Sequence, residues 1–495
     1  MSVPSAPTRP AWWRAAAPLA VGMSLAVLPV PAGLERPAWT YFALFAAVIT
    51  GLVLEPIPAA AVGLVGVTLA AVGRLVEPGP AASIAWALSG FQDRTVWLIF
   101  GAFVFSIGYG KTGLGRRVAL WLVKRLGGRT LGLGYAIALA DLVLAPGTPS
   151  NTARSAGTLF PVIRSIPGLY GSEPGPSARR IGAYVMWTAF ATTAVTSSMF
   201  VTALAPNAAA LALVRQGAGL DVAWTEWLFG FWPIGVLLVA AVPLIAYVVY
   251  PPEIRTSTEV PAWAAEELAR RGPMARQEKV MAALVVLAVF LWIVGSNVSV
   301  SLPILGSNFI DATGVVLLAN VLMLVTRVVE WDDVLGHRAA WNILVWFATL
   351  VALADGLSRV GFVAWIARAF AARLTGVPPL AAMVLLVSFF FFVHYTFASL
   401  TAHSAAVLPV VLATGMAVPG LPVDVFALLL VYSLGLMGVL TPYATGPAPL
   451  YYGSGYVSRR AFWTLGLVFG TIYLVTLLGV GIPYLLAVRP LGPVR

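Results

Sequence analysis

The chain has 495 residues, 60% of them hydrophobic and 10% charged, with a mean hydropathy of +0.91. A soluble domain carries roughly 25% charged residues, so this composition excludes a soluble globular protein and indicates a polytopic membrane protein. The absence of cysteine excludes disulfides and thiolate metal or redox sites, and the formal charge of +11 is spread between apolar runs, unlike the basic stripe of a nucleic-acid binder.

A bilayer core about 30 Å thick needs about 20 apolar residues per helix. Runs of this kind occur at 15–34, 39–54, 59–75, 131–145, 181–205, 229–250, 281–296, 310–327, 380–398, 424–440 and 462–486, giving about eleven spans. Two further runs, 96–110 and 343–356, are shorter and interrupted, and are expected as re-entrant hairpins. Residues 1–33 place Arg9 and Arg14 ahead of an apolar core as a signal peptide does, but the next span follows at once and the segment is expected to remain.

The sequence repeats itself. SNTARSAGTLFPV from Ser150 matches SLTAHSAAVLPVV from Ser399, an offset of 399 − 150 = 249. VWLIFGAF around Trp97 matches VWFATLVA around Trp346 at the same offset, 346 − 97 = 249, and Gly113 and Gly361 agree within one residue. Two motifs in one order at one spacing predict two homologous halves, joined by a polar interhelical linker at 251–279. Six Lys or Arg lie between Lys111 and Arg129, against Arg359, Arg368 and Arg373 in the matching segment. The positive-inside rule then puts the first segment in the cytoplasm and the second outside, which predicts an inverted repeat.

Each Ser-rich motif follows a helix-breaking signal, Pro146-Gly147 with Pro149 in one half and HYTFAS in the other, and opens a new apolar helix. A second polar break follows in each half, TSSMFVTALAPN from Thr196 and LTPYATGPAPLYYGSGY from Leu440. Helix N-termini present unpaired N–H groups and a partial positive charge, so broken helices meeting within the bilayer form an anion site. Close helix packing alone also uses Ser, Thr and Gly, but does not require duplicated Pro, Gly and hydroxyl clusters.

Arg154 and His403 occupy equivalent places, four residues after Ser150 and Ser399. One reading makes them counter-charges for an anionic substrate, Arg154 as a carboxylate fork and His403 as a titratable donor. The other pairs Arg154 with Asp141 and hydrogen-bonds His403 within the bundle. Asp141 and Asp355 are too sparse for a proton relay, and His337 beside Asp332 and Asp333 reads as a solvated loop, not a metal site. No Walker A loop, HExxH or G-x-S-x-G motif occurs, so neither ATP-driven pumping nor a hydrolase is supported.

GFQDRTVWLIFGAF with KTGLGRR, DLVLAPGTPSNTARSAG, GPMARQEK, HYTFASLTAH and LTPYATGPAPLYYGSGY together resemble the divalent anion:sodium symporter family, in its 2-oxoglutarate/malate translocator and citrate/succinate exchanger branch. The resemblance covers most of the chain. It implies an all-α fold with two re-entrant hairpins, a homodimer in a bacterial inner membrane, and scaffold and mobile transport domains working as an elevator. The halves then divide as scaffold 1–88, transport 89–225, scaffold 226–337 with the linker 251–280, and transport 338–495. It further implies that Ser150, Asn151 and Thr152 form one substrate-binding tip, with Ser150 and Asn151 as candidate sodium ligands, and that Ser399 and Thr401 form the other. Leu400 replaces the family's Asn, which puts a second sodium site in doubt. Thr441 and Pro442 match the opposing loop, and Arg154 and His403 are typical of the exchanger branch.

The expected function is an exchanger of 2-oxoglutarate, malate, succinate or citrate, not an enzyme, and with no cofactor except sodium if it is coupled. In exchange, fixed protein charge does part of the work of bound sodium. The alternatives are a sodium-coupled symporter and an anion channel. Small carboxylates, membrane lipid and a second copy of the chain are the expected partners, and nucleic acid is not.

Overall fold

The computed structural model describes residues 12–256, 258–295, 301–302, 306–307, 309–371 and 376–488; Arg9 and Arg373 lie outside them. Backbone polar groups cannot be satisfied by lipid, so apolar runs close their hydrogen bonds internally as helices. Among the described residues, eight helices are long and apolar enough to cross a membrane, and Ala59–Val72, Ala312–Val325, Leu400–Met416 and Val423–Val439 are shorter apolar helices. Among the described residues the strands are one pair of two-residue antiparallel strands, Ser301–Leu302 and Gly306–Ser307. The run expected at 181–205 yields Gly182–Met199, which is buried along its whole length and turns its Thr and Ser side chains to protein instead of lipid.

The runs at 96–110 and 343–356 are not re-entrant. They form the unbroken helices Arg94–Thr112 and Arg338–Arg359, both of membrane length. The glycines that interrupt the first run mark close helix contacts: a Cβ at Gly101 would sit 2.7 Å from Val316 Cγ1, and one at Gly108 would sit 2.5 Å from Met281 Sδ. The linker at 251–279 also carries structure. Its helix Glu259–Arg271 packs on the basic helix Leu114–Leu126, with Arg116 paired to Glu267 at 3.0 Å and Arg117 to Glu278 at 2.6 Å.

The matching helices run in opposite directions. Lys111, at the end of Arg94–Thr112, pairs with Asp333, just before Arg338–Arg359 begins. Arg94, at the start of the first helix, lines one cavity with Asp355 and Arg359, at the end of the second. The repeat is therefore inverted, with one basic face at Lys111 and an opposite face at Arg94. Gly113 and Gly361, which match in sequence, both adopt left-handed φ, +71° and +81°, where glycine alone turns the chain without strain.

Packing separates two groups of helices. Arg338–Arg359 packs on Ala59–Val72, Arg94–Thr112 packs on Ala312–Val325, and the two pack on each other. Gly182–Met199 is surrounded by Thr130–Leu144, Trp224–Val249 and Val423–Leu436, while Ala205–Ala218 lies along Leu400–Met416. Arg94–Thr112 and Arg338–Arg359, which follow the boundaries expected at 89 and 338, pack chiefly on the first group, and Ala205–Ala218 touches both of them.

Candidate functional site

Both Ser-rich motifs fold as tips of broken helix pairs. In the first, Thr130–Leu144 ends in the tight turn Ala145–Gly147, and the chain resumes as Thr152–Leu159, wound as a π-helix, then Phe160–Gly168. In the second, Pro379–Val393 ends in the turn His394–Thr396 and resumes as Leu400–Met416. The two turns keep the sequence offset, 394 − 145 = 249. Pro146 and Pro149 lack the N–H that would continue the first helix. Gly147 lets the turn approach Tyr109, whose Oη would lie 2.8 Å from a Cβ there.

Hydrogen bonds tie the breaks together. Thr202 Oγ1 donates to the Pro146 carbonyl at 2.7 Å, and the Ala205 N–H donates to the Pro149 carbonyl at 2.8 Å, joining the first tip to the break at 200–204. Asn151 Nδ2 donates to Thr445 Oγ1 at 2.7 Å, joining the same tip to the break at 440–447. Gly446 permits that approach, since a Cβ there would fall 1.9 Å from Thr152 Oγ1. From the other side, His394 Nε2 donates to the Ala444 carbonyl at 2.8 Å and Tyr443 Oη donates to the Tyr395 carbonyl at 3.0 Å. The break at 440–447 thus holds both tips.

Arg154 is 0% exposed and uses every N–H it has. Nε donates to Asp141 Oδ1 at 3.1 Å, Nη1 to the carbonyls of Thr148 (3.1 Å) and Ala203 (2.9 Å), and Nη2 to Thr196 Oγ1 (3.3 Å) and Ser197 Oγ (3.1 Å). Thr196 Oγ1 also donates to Asp141 Oδ2. A guanidinium has five N–H donors, so none is left to fork a substrate carboxylate. Of the two readings of Arg154, this geometry follows the one that pairs it with Asp141. Arg154 clamps the first tip to the break at 200–204, and Asp141 cancels its charge.

His403 is also 0% exposed, and it stands behind the second tip instead of on its surface. Phe390, His394 and Phe397 meet its ring edge-on at centroid distances of 4.4, 5.0 and 5.1 Å, and neither ring nitrogen has a protein partner. Asp355 is not near the tips; it pairs with Arg359 at 2.6 Å toward the opposite face. His337 is half-buried, which holds its pKa below the usual value, and Asp333 turns away to Lys111.

The remaining expected site residues gather at these breaks. Ser150 Oγ accepts the Ala153 N–H at 3.2 Å, and Ser399 Oγ accepts the Ala402 N–H at 3.3 Å, each capping the helix that follows its tip. Thr441 is buried, its Oγ1 accepting the Tyr443 N–H at 3.4 Å, and Pro442 is half-buried beside it. Thr152 is exposed, and Thr401 is half-buried with its hydroxyl uncommitted. Ser150 and Asn151 bring a hydroxyl and an amide oxygen to the first tip, and among the described residues no group of three His, Asp or Glu could hold a metal ion. Sequence reasoning missed Thr445, the partner of Asn151, and the bonded set Thr193, Ser155 and Tyr451 behind the first tip. Both Thr445 and Tyr451 lie in LTPYATGPAPLYYGSGY, whose polar density was the available signal.

The family described as "Sodium:sulfate symporter transmembrane region" matches residues 9–489. The chain is 48% identical over 486 residues to the citrate/succinate antiporter of Escherichia coli strain K12, covering 96% of this chain and 98% of that protein. It is 45% identical over 484 residues to the L-tartrate/succinate antiporter of the same strain, covering 95% and 97%. Among solved structures it resembles the YdaH transporter of Alcanivorax borkumensis, with a TM-score of 0.58, 17% identity and coverage of 93% of this chain and 100% of that one. MtrF of Neisseria gonorrhoeae gives a TM-score of 0.58 at 12% identity, covering 94% and 96%. These two likenesses bear on the fold alone.

Proposed function

The chain belongs to the divalent anion:sodium symporter family, and from that membership we propose that it is a secondary carrier exchanging small di- and tricarboxylate anions. It is an integral membrane protein and not an enzyme. The single observation that carries the exchange reading is the near full-length identity to two antiporters, one of citrate and succinate and one of L-tartrate and succinate. Fixed charge does not carry it, because Asp141 neutralises Arg154 and the pair cannot stand in for bound sodium.

The substrate site in this reading lies among the four breaks. Ser150, Asn151 and Thr152 form one wall, Ser399 and Thr401 another, and Thr441 and Pro442 the loop between them. Neutral hydroxyl and amide donors, with the helix N-termini behind them, bind carboxylates without a fixed cation. Arg154 acts through the tip it holds, and His403 through the packing of the second tip.

Alternating access moves the helices around Gly182–Met199, with both tips, against those around Arg94–Thr112 and Arg338–Arg359. The protein works as a homodimer in a bacterial inner membrane. The separation of the two packing groups and the inverted repeat support this division. The test is uptake of labelled citrate, succinate, malate and 2-oxoglutarate by vesicles containing the purified protein and loaded with unlabelled succinate. Uptake of at least one is expected, and uptake of none overturns the reading.

A further inference from the structure

Leu114–Leu126 belongs to the basic face. Arg94–Thr112 ends there, Gly113 turns the chain, and Thr130–Leu144 sets out again toward the first tip. The linker helix Glu259–Arg271 follows Leu114–Leu126 from end to end. At one end Arg117 Nη1 donates to the Gly272 carbonyl at 3.0 Å and Arg271 Nη2 to the Gly113 carbonyl at 3.2 Å. At the other, a Cβ on Gly127 would sit 3.2 Å from Val260 Cγ1. With Arg116 and Arg117 near its start and Lys124 and Arg125 at its end, Leu114–Leu126 is too charged to enter the hydrocarbon and lies along the membrane surface.

The six cations between Lys111 and Arg129 divide into two sets. Lys111, Arg116 and Arg117 pair with Asp333, Glu267 and Glu278. Lys124, Arg125 and Arg129 are exposed and, among the described residues, take part in no ion pair. Trp121 shares its face with two of these. It is 50% exposed, Lys124 and Arg125 follow it by three and four residues, and the Arg125 guanidinium lies over its ring, 5.4 Å from the centroid. Leu126, also exposed, extends the apolar edge. The positive-inside rule accounts for cations on this face, but not for a large exposed indole set among the unpaired ones. Tryptophan beside Lys and Arg is the composition of a helix that meets lipid headgroups.

We propose that Lys124 and Arg125 bind the phosphate of an anionic phospholipid, with Trp121 and Leu126 against its acyl chains. The occupant is a lipid and not a soluble phosphate, because the cations share their face with an exposed indole that a soluble anion would leave in water. The site does not depend on what the carrier exchanges. The other side of the helix packs on Thr130–Leu144 and Thr152–Leu159, where a Cβ on Gly115 would fall 2.6 Å from Thr158 Cγ2. A lipid that binds this arrangement and not the unfolded chain stabilises the fold around the first tip.

The test is native mass spectrometry of the purified full-length protein titrated with phosphatidylglycerol or phosphatidylcholine, beside thermal unfolding in detergent with each lipid. Each basic residue at an anionic lipid surface strengthens binding about fivefold. Lys124→Gln/Arg125→Gln should therefore bind phosphatidylglycerol at least about tenfold more weakly than wild type, and lose the rise in Tm that this lipid gives the wild-type protein. Phosphatidylcholine should bind both proteins alike. Trp121→Ala should also weaken phosphatidylglycerol binding, so it serves if the charge variant does not fold. Arg459→Gln/Arg460→Gln removes two exposed cations elsewhere and should change neither reading. Equal phosphatidylglycerol binding by wild type and Lys124→Gln/Arg125→Gln, or by Trp121→Ala if that variant stands alone, overturns the inference, as does an equal loss in Arg459→Gln/Arg460→Gln. Glycerol 1-phosphate at the same concentration should not displace the lipid; displacement would make a soluble phosphate the occupant and overturn the lipid site.

Discussion

Replacing Arg154 by alanine leaves the Asp141 carboxylate 1% exposed and without its cation. Breaking one side of a buried ion pair costs about 3–5 kcal/mol, because the remaining charge is desolvated and uncompensated. The carbonyls of Thr148 and Ala203 each lose a donor as well, adding about 1 kcal/mol apiece. Arg154→Ala should therefore lose both exchange and stability, read by denaturant unfolding in detergent beside vesicle transport. Removing the orphaned acid too should restore part of the stability, so the Asp141→Ala/Arg154→Ala double variant should exceed Arg154→Ala by at least about 2 kcal/mol. An Arg154→Ala protein as stable as wild type that loses only substrate affinity would refute the clamp and return Arg154 to the role of a ligand.

Three other outcomes follow from the geometry. Gly446→Ala should suppress exchange by driving a methyl into Thr152 Oγ1, and Thr152→Ala in the same chain should restore part of it, since only the Thr152 Cβ, at 3.2 Å, then remains close; full exchange by the single variant would show that the approach is dispensable. Asn151→Ala removes the bond to Thr445 and should lower exchange at least about tenfold while the protein still elutes as wild type on size exclusion; unchanged exchange would detach that contact from transport. At the opposite face Asp93 pairs with Arg215, and Arg94 with Asp221 and Asp311. Asp93→Arg should slow exchange by setting two like charges together and Asp93→Arg/Arg215→Asp should recover part of it, and equal rates in all three proteins would detach the pair from transport.

The inverted repeat was legible because residues survive in both copies at one offset and the charge of the matching loops differs. The tips were legible for a similar reason: Pro146, Gly147 and the hydroxyl clusters have no use in an uninterrupted membrane helix. The sequence misled at 96–110 and 343–356, where short, interrupted apolar runs suggested re-entrant hairpins. Gly101 and Gly108 instead admit Val316 and Met281, partners from distant sequence that no local pattern reveals. The role of Arg154 was ambiguous for the same reason. Its spacing from Ser150 allows either a ligand or a clamp, and the partners that favour the clamp, Asp141, Ala203, Thr196 and Ser197, come from segments that no local pattern brings together. The repeat unit and the packing unit differ: Arg94–Thr112 and Arg338–Arg359 open their repeats but pack chiefly on Ala312–Val325 and Ala59–Val72.

The central claim is exchange, and counter-substrate dependence tests it most directly. Purified protein in vesicles loaded with succinate, or with buffer alone, is given labelled citrate outside, with and without an inward sodium gradient. Exchange predicts uptake that requires internal succinate and ignores sodium. Sodium-driven accumulation in vesicles loaded with buffer alone would contradict it and make the protein a symporter.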